Sequence, residues 1–296
     1  MAVRWMASGG GAGAMVLGGM ALIGLIDNFV ALIAPTAGLW QFQAVRAGMA
    51  LVVLVPLMAW RRVWPVAPGA VALRSVLATG GMLLYFGCLG TLPVALVAAG
   101  LFTAPIWLVL IDWGLRGARP GAGRALAVGL GFAGVVVMLD PFGSGGGWAT
   151  GLAVLAGLLY GAGNLVTRLR CSQESPLSLL FGYYLLLGAV GALGCLALAL
   201  WGPEVPEGAA GWALRAWGRA GATFTAVSLA QALGSLLAVG LLIRAYQLGE
   251  PARMAVMENS LLIFAALWGW WLWGDTLNPR ELGGMGLILV GAVLAR

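Results

Sequence analysis

The 296-residue chain contains no histidine, and reading its basic residues finds only arginine, with no lysine. Without an imidazole, Ser-His-Asp and Cys-His arrangements, histidine-containing zinc sites and haem–histidine ligation are all excluded. Without lysine, the Walker-type phosphate loop that ends in Gly-Lys is excluded too, so no such ATP site powers the protein. Cysteine is scarce: Cys88, Cys171 and Cys195 are odd in number, far apart and set among apolar residues. That pattern fits neither a disulfide framework nor a redox pair, and the three read as small buried hydrophobes. Charge is scarcer still, at 9% of residues, where soluble chains carry roughly 25%. A water-facing surface cannot be built from so little charge.

What is present is apolar, at 61% of the sequence. A bilayer-crossing helix needs about 20 mostly apolar residues. Cutting the chain where charge, Pro and Gly interrupt such runs predicts spans at 14–34, 39–59, 70–90, 93–111, 124–139, 148–166, 178–200, 221–243, 251–272 and 282–295. The first run resembles a cleaved signal at its start, but it continues past Asp27 and Asn28 to Ala34 without a convincing cleavage site, so it is kept as a span. Connections are short apart from 201–220, which holds Pro203, Glu204, Pro206 and Glu207 before a Trp212–Arg219 segment expected to form an interfacial amphipathic helix. No soluble domain fits between the spans.

The net charge of +6 raises the question of a nucleic-acid partner. The arginines, however, never gather into one basic face with interleaved aromatics; they punctuate the apolar runs. With both termini in the cytoplasm, Arg4, Arg61, Arg62, Arg116, Arg119, Arg124, Arg168, Arg170, Arg244, Arg253 and Arg296 lie inside, against Arg215, Arg219 and Arg280 outside. Eleven against three fixes the expected orientation. Trp40, Trp60, Trp64, Trp113, Trp148, Trp201 and Trp273 fall at span ends, where an indole keeps its ring in the apolar edge and its N–H in water.

The chain also repeats itself. Residues 92–139 parallel 250–296 at an offset of about 157: Leu92-Pro93-Val94-Ala95 faces Glu250-Pro251-Ala252-Arg253, and Gly129 and Gly134 match Gly286 and Gly291. A weaker match pairs Leu22–Leu25 with Leu155–Leu158. Two halves of five spans follow, and an odd number makes the second half cross in the opposite sense, an arrangement found in transporters. Gene duplication in a purely structural membrane protein would leave the same trace.

At this point the sequence resembles the drug/metabolite transporter superfamily, specifically proteins with two tandem EamA-type domains. The likeness covers essentially the whole chain. It rests on ten spans as five plus five, on Asn28-Phe29-Val30 late in the first span, on Tyr160 followed by Arg168 closing the sixth, and on Gly274-Asp275 leading to Gly283, Gly286 and Gly291. The family usually has Gly-Glu where Gly274-Asp275 stands, and Trp113-Gly114-Leu115-Arg116 in the first half carries no carboxylate. The resemblance implies an all-α polytopic membrane protein of ten helices in two inverted five-helix repeats, residues 1–140 and 141–296. It further implies a secondary transporter of a bacterial inner membrane, monomeric or homodimeric, with a small-molecule substrate, no cofactor, no metal and no nucleic acid. The superfamily's substrates range over amino acids, drugs, nucleotide sugars, vitamins and other metabolites.

Ionisable residues far inside a span cost several kcal/mol unless paired or hydrated. Asp27 and Arg46 each lie seven residues from the outer ends of consecutive spans, a depth of about 10 Å at 1.5 Å per residue. They are expected to pair, either to cancel each other's desolvation or as an outer gate that a zwitterion opens. Glu258, in Met257-Glu258-Asn259-Ser260, lies at a similar depth from the other face with no arginine at its level. It either snorkels toward Arg244 or Arg253, or serves as the coupling or substrate-ammonium group. Around these, Asn28, Tyr85, Phe102, Thr103, Tyr160, Gln231 and Asn259 are the candidate substrate contacts, each equally able to serve as a helix-to-helix hydrogen-bonding group. Pro105 removes a backbone hydrogen bond within the fourth span and is the candidate hinge.

The reading that follows is export of a small metabolite, amino acid or drug by alternating access. A lipid-linked carrier flippase and an importer of a vitamin-like metabolite are the alternatives. A membrane-embedded enzyme is disfavoured, since neither His nor clustered carboxylates nor a cysteine pair is available. Reporter fusions after residues 65, 118, 172 and 247 are expected to report the cytoplasm and those after 36, 145 and 208 the opposite side. Fusions at 118 and 145 reporting the same side would rule out five crossings per half.

Overall fold

The structure, a computed structural model, describes residues 9–88, 100–117, 121–139, 148–218, 220–274 and 279–294. Leu92–Ala95, Asp275, Arg4, Arg119, Arg219 and Arg296, which entered the repeat, motif and charge arguments, lie outside the described residues. Described residues form helices and turns, with no strand among them. In chain order the helices are α1 (Gly9–Asp27), α2 (Leu39–Arg61), α3 (Pro68–Cys88), α4 (Ala104–Arg116), α5 (Ala122–Leu139), α6 (Trp148–Arg170), α7 (Pro176–Trp201), α8 (Ala222–Leu248), α9 (Pro251–Glu258), α10 (Ser260–Trp273) and α11 (Pro279–Leu294).

Six of the described helical stretches are long and apolar enough to cross a membrane: Leu39–Arg61, Pro68–Cys88, Gly151–Arg170, Pro176–Trp201, Ala222–Leu248 and Pro251–Leu272. Gly11–Asp27, Ala104–Leu115 and Ala122–Val137 are shorter apolar helices. Helix ends follow local chemistry. Prolines 68, 176, 251 and 279 open helices, where their missing N–H costs nothing. Ser175 caps α7 by accepting from the Leu177 amide at 3.3 Å. Gly117, Gly202 and Gly274 close α4, α7 and α10 in the left-handed region, with φ of 69°, 61° and 74°.

Three expectations are corrected. The first helix starts at Gly9 and stops at Asp27, not Ala34. Asn28 turns its amide back to the Gly24 carbonyl at 2.7 Å, and the chain continues as a 3-10 turn over Val30–Leu32. Asp27 therefore terminates a helix instead of sitting within one. Second, Trp212–Gly218 is not an amphipathic helix. Trp212 is buried against Phe42, with ring centroids 5.8 Å apart, and its carbonyl accepts from the Leu39 amide at 2.8 Å. Arg215 donates to the carbonyls of Ala34 (2.9 Å) and Ala37 (3.0 Å), satisfying backbone of the turn between the 3-10 segment and α2. The segment is thus a polar cap over one end of the bundle. Trp40 belongs to that cap, donating to the Ala213 carbonyl at 2.9 Å, instead of anchoring in a lipid interface. Third, Pro105 does not kink a continuous helix. It lies in the first turn of α4, after a break at Phe102–Thr103.

The most extensive packing joins α5 with α11, α3 with α6, α2 with α7, and α1 with α8. Small residues make these approaches possible. A Cβ at Gly134 of α5 would meet the Gly284 carbonyl of α11, and one at Gly291 of α11 would meet the Ala127 carbonyl of α5. Likewise Gly81 of α3 backs onto the Ala156 carbonyl of α6, and Gly19 of α1 onto the Ala238 carbonyl of α8. Gly157 and Gly161 of α6 admit the start of α4, where their Cβ atoms would strike the Gly100 and Ala104 carbonyls. By contrast Gly129 and Gly286 face open space. Gly134→Leu and Gly291→Leu are each expected to destabilise the fold by about 1–3 kcal/mol through overpacking, read as lost folded yield or a lower Tm. Gly286→Leu is expected to behave as wild type, and equal losses at all three positions would contradict this packing.

Candidate functional site

Between the helices lies a cavity of about 130 Å³, walled by α1, α2, α3, α6, α7, α8, α9, α10 and the break before α4. Its wall is largely apolar, with Met82 and Phe86 from α3, Phe102 before α4 and Leu242 from α8. Into this lining project four charged side chains: Asp27, Arg46, Arg74 and Glu258. Each comes from a different helix.

Asp27 and Arg46 share the cavity without the direct ion pair expected from their common depth. Because α1 ends at Asp27, the carboxylate faces α8, and its Oδ1 accepts from Nε2 of Gln231 at 2.9 Å. Arg46 turns toward α7, donating from Nη2 to the Tyr183 hydroxyl at 3.3 Å and stacking 5.6 Å from the Phe42 ring centre. The equal depths came from placing both residues seven positions inside a helix, which Asp27 is not.

Glu258 is buried at 4% exposure, and its Oε1 accepts from the Tyr160 hydroxyl at 3.2 Å, with the Tyr246 side chain on the same side. Neither Arg244 nor Arg253 reaches it: Arg244 bonds Gln247 Oε1 at 3.3 Å instead. The snorkelling alternative therefore fails, and two phenols stand where an arginine was the alternative. Just beyond Glu258 the helix tightens at Asn259, whose amide donates to the Val256 carbonyl at 3.3 Å before α10 begins.

Of the remaining candidates, Tyr85, Phe102, Pro105, Tyr160 and Gln231 line the cavity. Asn28, Thr103 and Asn259 do not. Asn28 is spent on its own helix end. Thr103 donates to the Gly100 carbonyl at 2.6 Å and accepts from the Trp107 indole at 3.1 Å, stitching the break before α4. Asn259, fully buried, points its amide at Gly131 of α5. A further cavity residue, which the sequence did not single out, is Arg74, within the third predicted span. It is 4% exposed, donates from Nη1 to the Leu179 carbonyl at 3.4 Å and lies 5.8 Å from the Tyr183 ring centre. Its periodicity with Ala78, Met82 and Tyr85 along one face of α3 was the available signal.

At the end of the bundle opposite the cap, a second cleft holds Asp112, Arg124, Arg168 and Glu250. Arg124 and Glu250 pair at 2.5 Å, both over one-third exposed, so the pair adds little to stability. Arg168 donates to the Gln247 carbonyl, and the Gln247 amide bonds the carbonyls of Cys171 (2.9 Å) and Glu174 (2.7 Å). Among the described residues no cluster of three or more His, Cys, Asp or Glu gathers to hold a metal ion.

Four charged side chains from four helices thus meet at one internal cavity of an otherwise apolar bundle. Residues 147–296 match the EamA-like transporter family. The chain belongs to that family, and through it to the drug/metabolite transporter superfamily. It is similar to a riboflavin transporter of Rhizobium johnstonii, with 30% identity over 201 residues, 68% of this chain. The match spans 61% of that relative's length. A solved protein crystal structure with 18% identity shares the fold at a TM-score of 0.75, covering 95% of this chain and 98% of the other.

The hydrogen bond between Gln231 and Asp27 is expected to couple the two residues by about 1.5 kcal/mol, at the low end for a bond to a charged group. In a double-mutant cycle on thermal stability, Asp27→Asn and Gln231→Ala are non-additive, and Asp27→Asn and Arg46→Gln couple more weakly, through space without a direct contact. A strong coupling of Asp27 to Arg46 instead would contradict the geometry.

Proposed function

We propose that the protein is a secondary active transporter that moves a small amphipathic metabolite through the central cavity by alternating access. One observation carries this reading: Asp27, Arg46, Arg74 and Glu258, from helices of both halves of the chain, converge on a single cavity. Residues 1–140 and 141–296 act as two inverted five-helix repeats. In support, the packing is what a pseudo-two-fold axis in the membrane plane requires. Under it α2 pairs with its counterpart α7 and α5 with its counterpart α11, while the α3–α6 contact maps onto α8–α1. The reciprocal contacts of Gly134 and Gly291, at the same 157-residue offset as the sequence repeat, agree with that axis. Both termini face the cytoplasm of a bacterial inner membrane, on the arginine count.

Rocking of one half against the other would open the cavity alternately past the Trp212–Arg215 cap and past the Arg124–Glu250 cleft. The breaks at Phe102–Thr103 and at Asn259 lie at equivalent places in the two halves and offer matched points of flexure. Energy comes from an ion gradient or an exchanged solute, and one charge moved through 100 mV supplies about 2.3 kcal/mol. Glu258, held by a phenol beside the cavity, is the coupling group. Export of a metabolite, amino acid or drug is the primary direction. Import of a vitamin-like solute is the second reading, favoured by the relative named for riboflavin.

Reconstituted protein tested against amino acids, drugs and riboflavin, with and without a pH gradient, checks both readings. Glu258→Gln is expected to keep the fold and solute binding, abolish uphill transport driven by the pH gradient and leave downhill exchange partly intact. Wild-type flux and pH dependence in this variant would remove Glu258 from the mechanism.

A further inference from the structure

We infer that Arg46 and Arg74, bracketing Tyr183, form an oxyanion subsite in the cavity, so that the transported solute carries a carboxylate or phosphate group. The inference rests on the transport reading above and narrows its substrate class. Each guanidinium offers five N–H donors. Arg46 gives one to the Tyr183 hydroxyl and Arg74 gives one to the Leu179 carbonyl. The Nε of both is buried with no hydrogen-bond partner, and neither side chain lies within 4.0 Å of a carboxylate among the described residues. Both residues are at least nine-tenths buried, at 5% and 4% exposure, and both line the cavity.

Neither carboxylate of the same cavity forms a direct ion pair with them, although Arg46 lies within electrostatic reach of Asp27. Asp27 is engaged by Gln231 and Glu258 by Tyr160, on the side formed by α1, α6, α8 and α9. The cavity is therefore polarised, with cations on α2 and α3 and anions on α1 and α9. Phe42 supports the flat face of Arg46, and the Tyr183 ring that of Arg74. Stacked in this way, a guanidinium keeps its edge for the paired N–H bonds that suit a carboxylate or phosphate. Two guanidiniums without a direct ion pair inside an apolar bundle are costly in the empty state, and an oxyanion seated between them removes that cost. Met82 and Phe86 are placed to hold the solute's apolar body.

Thermal unfolding of the full chain in lipid nanodiscs, titrated with benzoate, benzamide and phenyl phosphate, tests this directly. Benzoate or phenyl phosphate is expected to raise Tm with concentration while neutral benzamide does not, the larger shift telling carboxylate from phosphate. Arg46→Gln and Arg74→Gln are each expected to weaken that anion at least tenfold. Arg46→Lys and Arg74→Lys, which keep charge but lose the fork, serve where a Gln variant does not fold and are expected to weaken it as well. Equal shifts by benzoate and benzamide, no shift by either anion, or wild-type anion affinity in the arginine variants would overturn the subsite. Solute flux that persists without any anion protection would overturn the subsite and leave transport standing. Arginine-dependent anion binding with no flux of any solute would instead overturn the transport reading.

Discussion

A charge facing the interior of an apolar helical bundle must be matched by something, and the cavity of this protein is organised by how each of its four charges meets that demand. Asp27 takes an amide from Gln231, Glu258 a phenol from Tyr160, Arg46 a phenol from Tyr183, and Arg74 a backbone carbonyl with a ring face beneath it. None of these is a direct ion pair. Neutral partners orient a charge without cancelling it, so the cavity keeps a field that a solute or a proton can complete.

Close helix packing makes such a cavity possible without loosening the rest of the bundle. Where α5 meets α11 and where α3 meets α6, glycine lets backbone touch backbone, and the contacts hold without polar side chains. This leaves the polar inventory free for the centre and the two ends. At one end Arg215 collects carbonyls of the turn before α2, over the buried cluster of Phe42, Trp212 and Phe224; at the other Gln247 ties α8 to the turn after α6.

Much of the helical layout was legible in the sequence, because apolar run length is dictated by bilayer thickness and interrupted by charge. Helix ends were less so. Hydropathy cannot see that Asn28 turns back on Gly24, and that one hydrogen bond moved Asp27 from the middle of a helix to its end and changed its partner. The Trp212–Arg219 segment read as amphipathic because it mixes Trp with Arg, yet Trp212 is core and Arg215 is a backbone clamp. Charge within a span proved the best pointer to the cavity: Asp27, Arg46 and Glu258 all reach it. Arg74 was missed because it lies near the start of its helix, where hydropathy does not tell a side chain that turns inward from one that reaches the surface. Asn28, Thr103 and Asn259 were misread because a small polar side chain serves a helix terminus as readily as a ligand.

The central claim is that this cavity opens to each face of the membrane in turn. Val239 lines it and is half-buried, and Val239→Cys is close to isosteric. With Cys88, Cys171 and Cys195 replaced by Ala, the single thiol can be challenged in oriented proteoliposomes with a membrane-impermeant reagent applied from one face or the other. Labelling from both faces, slowed from each by a transported solute, is the result expected. Labelling confined to one face under every gradient and solute condition would contradict alternating access at this site.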